Sequence, residues 1–80
     1  MKKSPDNDFQ LYLKQLGGNL KNERIKNGIT QEMFAEMNNI DYKYYQRIET
    51  GKVNITIKTL YKLSKSLKIN PNSLLDHKKK

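Results

Sequence analysis

The 80 residues predict an all-α domain of five helices, and two observations carry that prediction. The first is the stretch at residues 30–51, TQEMFAEMNNIDYKYYQRIETG, which holds two short helical patterns with marked starts and a joint of only a few residues. The second is the spacing of apolar residues on either side of it. Phe9, Leu13, Leu16 and Leu20 before it, and Leu60, Leu63 and Leu67 after it, recur at three or four residues, the period of a helix with one buried face.

The first helix is predicted over 8–26, with Asp8 as its cap, preceded by a flexible arm over 1–8 that includes Pro5. Gly17-Gly18 interrupts it, at about 1 kcal/mol per Gly relative to Ala. Either the helix breaks there or a glycine admits a neighbouring helix, and close approach is the reading adopted. Asn27-Gly28 supplies left-handed formers that end it. Thr30 then caps a second helix through a free amide of its first turn, with Glu32 near the positive helix end. Asn38-Asn39 breaks that run, because Asn enters the left-handed region cheaply. Asp41 caps a third helix, with Tyr45 and Ile48 facing inward and Gly51 as its stop. Thr56 caps a fourth over 57–67, with Lys58, Lys62 and Lys65 outside. Asn70 caps a fifth, short helix with Pro71 in its first turn, where a missing N–H costs nothing. One domain over 9–76 is expected, followed by a basic tail at 77–80.

Composition narrows the function classes. No Cys is present, so a disulfide framework or thiolate zinc site is excluded. No apolar run approaches the ~20 residues of a membrane span and no signal-peptide core follows Met1, so a cytoplasmic protein is expected. The only histidine, His77, stands beside the terminal lysines, and no Ser/His/Asp set or phosphate loop is assembled. Neither a reaction nor a cofactor or metal is expected. The net charge of +8 includes five terminal lysines (Lys2, Lys3, Lys78, Lys79, Lys80); residues 9–77 hold eleven Lys/Arg against six Asp/Glu, leaving +5. Basicity permits nucleic-acid binding without proving it.

Two short helices with a tight joint form a helix-turn-helix, whose second helix can enter a DNA major groove. With Asp41 as cap, Tyr42 and Lys43 occupy the first turn of that helix. Tyr45 and Ile48 face inward, leaving Tyr42, Lys43, Gln46 and Arg47 outside. Arg47 and Lys43 suit the guanine O6 and N7 acceptors, and Gln46 suits adenine. For Arg47 a phosphate contact or a helix-terminal charge is the plainer alternative. Gln31, with the amides beside it, suits a phosphate oxygen. Lys52, Asn54 and Thr56, in the loop before the fourth helix, are candidates for a second backbone clamp. Asn54 as a turn former and Thr56 as a simple cap are compatible with that role.

Arg24, Gly28, Thr30-Gln31-Glu32, Ala35, Ile40, Arg47-Ile48-Glu49 and Gly51 together resemble the Cro/lambda-repressor type of helix-turn-helix, the XRE family. The tract GKVNITIKTL at residues 51–60 also resembles the small controller proteins of restriction–modification systems, and the likeness spans roughly residues 16–75. The resemblance implies a five-helix, lambda-repressor-like domain that binds double-stranded DNA and regulates transcription. It places Tyr42, Lys43 and Arg47 at base-reading positions, Gln31 on the DNA backbone and Tyr44 against the sugar–phosphate chain. Arg24 and Glu49 match a pair that ties helix one to helix three; an exposed pair of little worth is the alternative. Other proteins of this shape imply other partners, a toxin for an antitoxin or another protein for an adaptor.

Three positions depart from the family pattern: Asn38 and Ser64 where an apolar residue and alanine are usual, and Tyr45 where an aliphatic is usual. Asn38 and Tyr45 are expected to share a buried hydrogen bond, since either alone is expensive to bury. The alternative turns both toward solvent. One small domain covers little DNA, so a homodimer on a palindromic operator is expected. Its contact is placed at Ile69, Leu74 and Leu75, unless these pack on helix one.

Overall fold

The computed structural model describes residues 5–76. Five helices follow one another in the expected order: α1 (Pro5–Lys26), α2 (Gln31–Met37), α3 (Tyr42–Glu49), α4 (Ile57–Leu67) and α5 (Pro71–Leu75). Helix α1 starts at Pro5, so residues 5–8 are helical and Asp8 lies in the first turn instead of capping it. A proline fits there because a first-turn amide is left free in any helix. The rest of the expected arm, and the basic tail with His77, fall outside the described residues.

Each later start is fixed by its own side chain. Thr30 Oγ1 accepts from the Met33 amide at 3.1 Å, Asp41 from Tyr44 at 3.0 Å, Thr56 from Thr59 at 3.1 Å and Asn70 from Asn72 at 2.9 Å. Helix α2 closes with Asn39 in the left-handed region (φ 56°), the Ile40 amide reaching back to Ala35 O at 2.9 Å. That closure satisfies carbonyls the helix would otherwise strand and aims the chain into α3. Lys68 ends α4 in the same way at φ 60°, an uncommon conformation for a lysine.

Leu16, Leu20, Phe34, Ala35, Tyr45, Ile48, Leu60, Leu63, Leu67 and Leu74 form one core, with the Phe34 and Tyr45 rings edge-to-face at 5.4 Å. Leu13 is also buried, but Phe9, one turn before it, stays 42% exposed. Ser64 is wholly buried and donates its hydroxyl to Tyr61 O at 2.9 Å, which lets a serine stand at a small core position. Of the Gly17-Gly18 pair, Gly17 is the close approach: a Cβ there would lie 2.5 Å from Ile48 O of α3, whereas Gly18 faces open space. Gly51 combines φ 73° with a second close approach, to Lys14 of α1. The C-terminal end of α3 therefore rests directly on the α1 backbone. No helix among the described residues is long and apolar enough to cross a membrane.

Candidate nucleic-acid interface

Helix α3 has two unlike faces. Tyr45, Ile48 and Glu49 are buried, while Tyr42, Lys43, Tyr44 and Arg47 are exposed and Gln46 is half-buried. This division follows from the helical period, since positions 45, 48 and 49 share one stripe. Among the described residues, Lys43, Arg47 and Lys52 form no ion pair, so their charges face solvent unspent. Lys52, Asn54 and Thr56 are exposed in the loop that leads from α3 to α4.

Beneath the exposed face lies a buried polar network centred on Glu49. Arg24 Nε donates to Glu49 Oε2 at 2.6 Å and Nη2 to Oε1 at 3.2 Å, so the pair is buried and two-pronged. A third guanidinium nitrogen, Nη1, donates to Ile29 O at 2.7 Å and ties down the α1–α2 connection. The Tyr45 hydroxyl donates to the same carboxylate, and Gln31 Nε2 reaches Oε1 at 2.9 Å. Burial alone would push the Glu49 carboxyl up. The hydrogen bonds from Arg24, Tyr45 and Gln31 outweigh it and hold the group below its ordinary value. Burial, then the bond to Glu49, pushes the Tyr45 phenol well up, so it stays protonated. The bond to Glu49 raises the Arg24 guanidinium against its own desolvation.

This network corrects the expected Asn38–Tyr45 bond. Asn38 is buried, but its amide donates back to Phe34 O at 3.0 Å, within its own helix. Tyr45 spends its hydroxyl on Glu49. The two unusual residues are satisfied separately, because the carboxylate is a stronger acceptor than an amide and lies one turn along α3.

Gln31 carries two roles. It opens α2, and it links Glu49 to the exposed face of α3: Gln46 Nε2 lies 3.4 Å from Gln31 Oε1 and 3.3 Å from the Tyr42 hydroxyl. A shallow depression at this place is lined by Lys21, Arg24, Thr30, Gln31, Glu32 and Tyr42. It brings the exposed Lys21 to the start of α2, a cation that reading the sequence left unassigned. Its spacing of three from Arg24, which puts both on one side of α1, was the available signal.

At the other end of the chain, Leu74 is wholly buried in its own core. Of the three residues expected at a dimer contact, only Ile69 and Leu75 keep exposed surface in this fold. Asn19 of α1 fixes Leu74 in place by donating to Leu74 O at 2.8 Å and Asp76 O at 3.0 Å. Ile69 and Leu75 pack at the edge of the core and stay half-buried.

Two short helices crossing at a left-handed asparagine, with one face of the second locked and the other presenting aromatic and basic side chains, define a helix-turn-helix domain. The helix-turn-helix family matches residues 20–74, and the chain belongs to it. It is 36% identical over 69 residues to the control protein C.MunI of a Mycoplasma species, a match covering 85% of this chain and 89% of that protein. Among solved structures, the restriction–modification controller protein C.AhdI from Aeromonas hydrophila superposes with a TM-score of 0.74 at 31% identity, over 78% of this chain and 94% of that one. The controller C.Esp1396I gives 0.69 at 29%, over 84% and 96%. A hypothetical transcription factor from Neisseria, NHTF, gives 0.76 at 23% over 94% of this chain and 83% of that one, a likeness of fold. The chain is thus a helix-turn-helix DNA-binding regulator of the controller-protein kind, and its relatives are regulators, not enzymes.

Proposed function

We propose that this chain is a sequence-specific transcriptional regulator that occupies a palindromic operator as a homodimer, with α3 in the major groove. One observation supports the reading: the exposed face of α3 presents Lys43 and Arg47, which pair with no acid among the described residues, while its other face is fixed to α1 and α2 through Glu49. A reading head needs both properties, since base edges are discriminated only by side chains whose helix does not shift. Tyr42, Lys43 and Arg47 read base edges; Tyr44 lies along the sugar–phosphate chain. Gln31, with Lys21 beside it, clamps one phosphate, and Lys52, Asn54 and Thr56 clamp another. The controller proteins among the relatives support a role in regulating a restriction–modification system.

Dimerisation follows from coverage. One domain of this size spans a single half-site, and two half-sites about one helical turn apart supply the specificity one lacks. Ile69 and Leu75, half-buried on the side that carries α5, are the apolar residues proposed for the contact. The experiment is site selection from a random duplex pool, followed by titration of the selected duplex and a scrambled one across a salt series. A palindromic selected site, salt-sensitive binding and two chains per site are expected. Absence of salt-sensitive binding would overturn the regulator reading, and one chain per site with a monomer at tens of micromolar would overturn the dimer.

A further inference from the structure

The Glu49 carboxylate dictates the polarity of a side chain two residues removed from it in the network. An ionised carboxylate only accepts, and Glu49 is held ionised by the donors around it. Gln31 must therefore turn its NH2 group inward to Glu49 Oε1, at 2.9 Å, which leaves its own Oε1 facing Gln46. Facing an acceptor, Gln46 must in turn present its NH2 group. Its two N–H bonds are directed to Gln31 Oε1 at 3.4 Å and to the Tyr42 hydroxyl at 3.3 Å. These bonds are long; they fix an orientation more than they add strength. Among the described residues nothing donates to Gln46 Oε1.

We infer that Gln46 is a specificity residue that acts as a hydrogen-bond acceptor only, selecting a base that offers an exocyclic amino group to the major groove. The inference rests on the reading of α3 as the groove helix. Adenine N6 and cytosine N4 are the two such donors; guanine and thymine show acceptors at the corresponding edge. An unconstrained glutamine grips adenine with both ends, its carbonyl on N6–H and its NH2 on N7. Gln46 differs because its NH2 is already directed to Gln31 and Tyr42 of its own chain.

Modified bases test this. Sites are first selected with the parent chain and with Gln46→Ala, and the base position whose preference disappears in the variant is assigned to Gln46. Adenine or cytosine is expected there. Removing only the amino group, with purine in place of adenine or 2-pyrimidinone in place of cytosine, should weaken parent binding about tenfold and leave Gln46→Ala unaffected. If the base is adenine, 7-deaza-adenine, which lacks the N7 acceptor, should bind the parent as well as adenine does. Guanine or thymine at that position, an equal loss with 7-deaza-adenine, or no altered position in Gln46→Ala would each overturn the inference while leaving the regulator reading intact. Only a parent chain that binds no duplex would remove the reading beneath it.

Discussion

Arg24 and Glu49, 25 residues apart in sequence, join the end of α1 to the last residue of α3 through two parallel hydrogen bonds, one of them 2.6 Å long. A pair of this kind gives modest net stability, because both ions lose their water. Breaking it is costly, since the survivor remains buried and charged. The pair acts as a fixed joint. With Gly17 and Gly51 bringing the α3 terminus against the α1 backbone, it holds the C-terminal end of α3 on α1.

Removing one partner should therefore destabilise more than its small size suggests. Glu49→Ala is expected to cost about 3–5 kcal/mol in urea unfolding, and Tyr45→Phe about 1–3 kcal/mol through the acceptor left unfilled. A double-mutant cycle between Tyr45 and Glu49 should show clear coupling, while one between Asn38 and Tyr45 should show none. Coupling of the opposite pattern would mean that Tyr45 bonds to Asn38 in solution.

Acid should weaken the same joint. Glu49 is held below its ordinary value of 4.5 in the folded state, so its contribution is fully present above that value and is lost as pH falls through the folded one. Tyr45 works in the reverse sense. Its raised phenol favours folding below the ordinary value of 10.0, and the contribution fades as pH climbs above it. Unfolding free energy measured from pH 2 to 11 should show both limbs. Glu49→Gln should flatten the acid limb and Tyr45→Phe the alkaline one.

Adjacent glycines in α1 should respond oppositely to alanine. Gly18 faces open space, so Gly18→Ala should stabilise the helix by about 1 kcal/mol. Gly17→Ala places a methyl against the Ile48 and Glu49 carbonyls, which are backbone and cannot turn aside. A net loss of about 1–3 kcal/mol is expected despite the better helix former. Thermal unfolding of the two variants decides it, and a stabilised Gly17→Ala would show that α1 and α3 can separate without penalty.

Local chemistry made most of the fold legible. Thr30, Asp41, Thr56 and Asn70 cap helices through bonds to residues two or three positions away, a relation visible in a linear sequence. The outer face of α3 was legible for the same reason, because helical period alone separates Lys43 and Arg47 from Tyr45 and Ile48. What escaped depends on distance through space. Gln31 and Glu49 meet across 18 positions, and no periodicity indicates that Tyr45 would prefer a carboxylate on its own helix to the neighbouring Asn38. A short terminal helix with two leucines reads as surplus apolar surface, but Leu74 is buried in the core and Asn19, 55 positions away, bonds its carbonyl.

The proposed division between reading and clamping residues gives the sharpest test of function. Arg47 is exposed on α3 and pairs with no acid among the described residues, so in the proposed complex its contact should depend on which base edge it meets. Arg47→Ala should cost about 1–3 kcal/mol on the selected operator and relax preference at one base position. Lys52 lies beyond the helix, in the exposed loop before α4, where the proposed function assigns it to the sugar–phosphate chain. Its contribution is then electrostatic and blind to sequence. Lys52→Ala should weaken operator and scrambled duplex alike, and reduce the slope of log affinity against log salt by about one unit. Titrations of both variants on both duplexes across a salt series measure all of these quantities. Equal losses on the two duplexes for Arg47→Ala would move that residue to the phosphate backbone, leaving Tyr42, Lys43 and Gln46 to read the site.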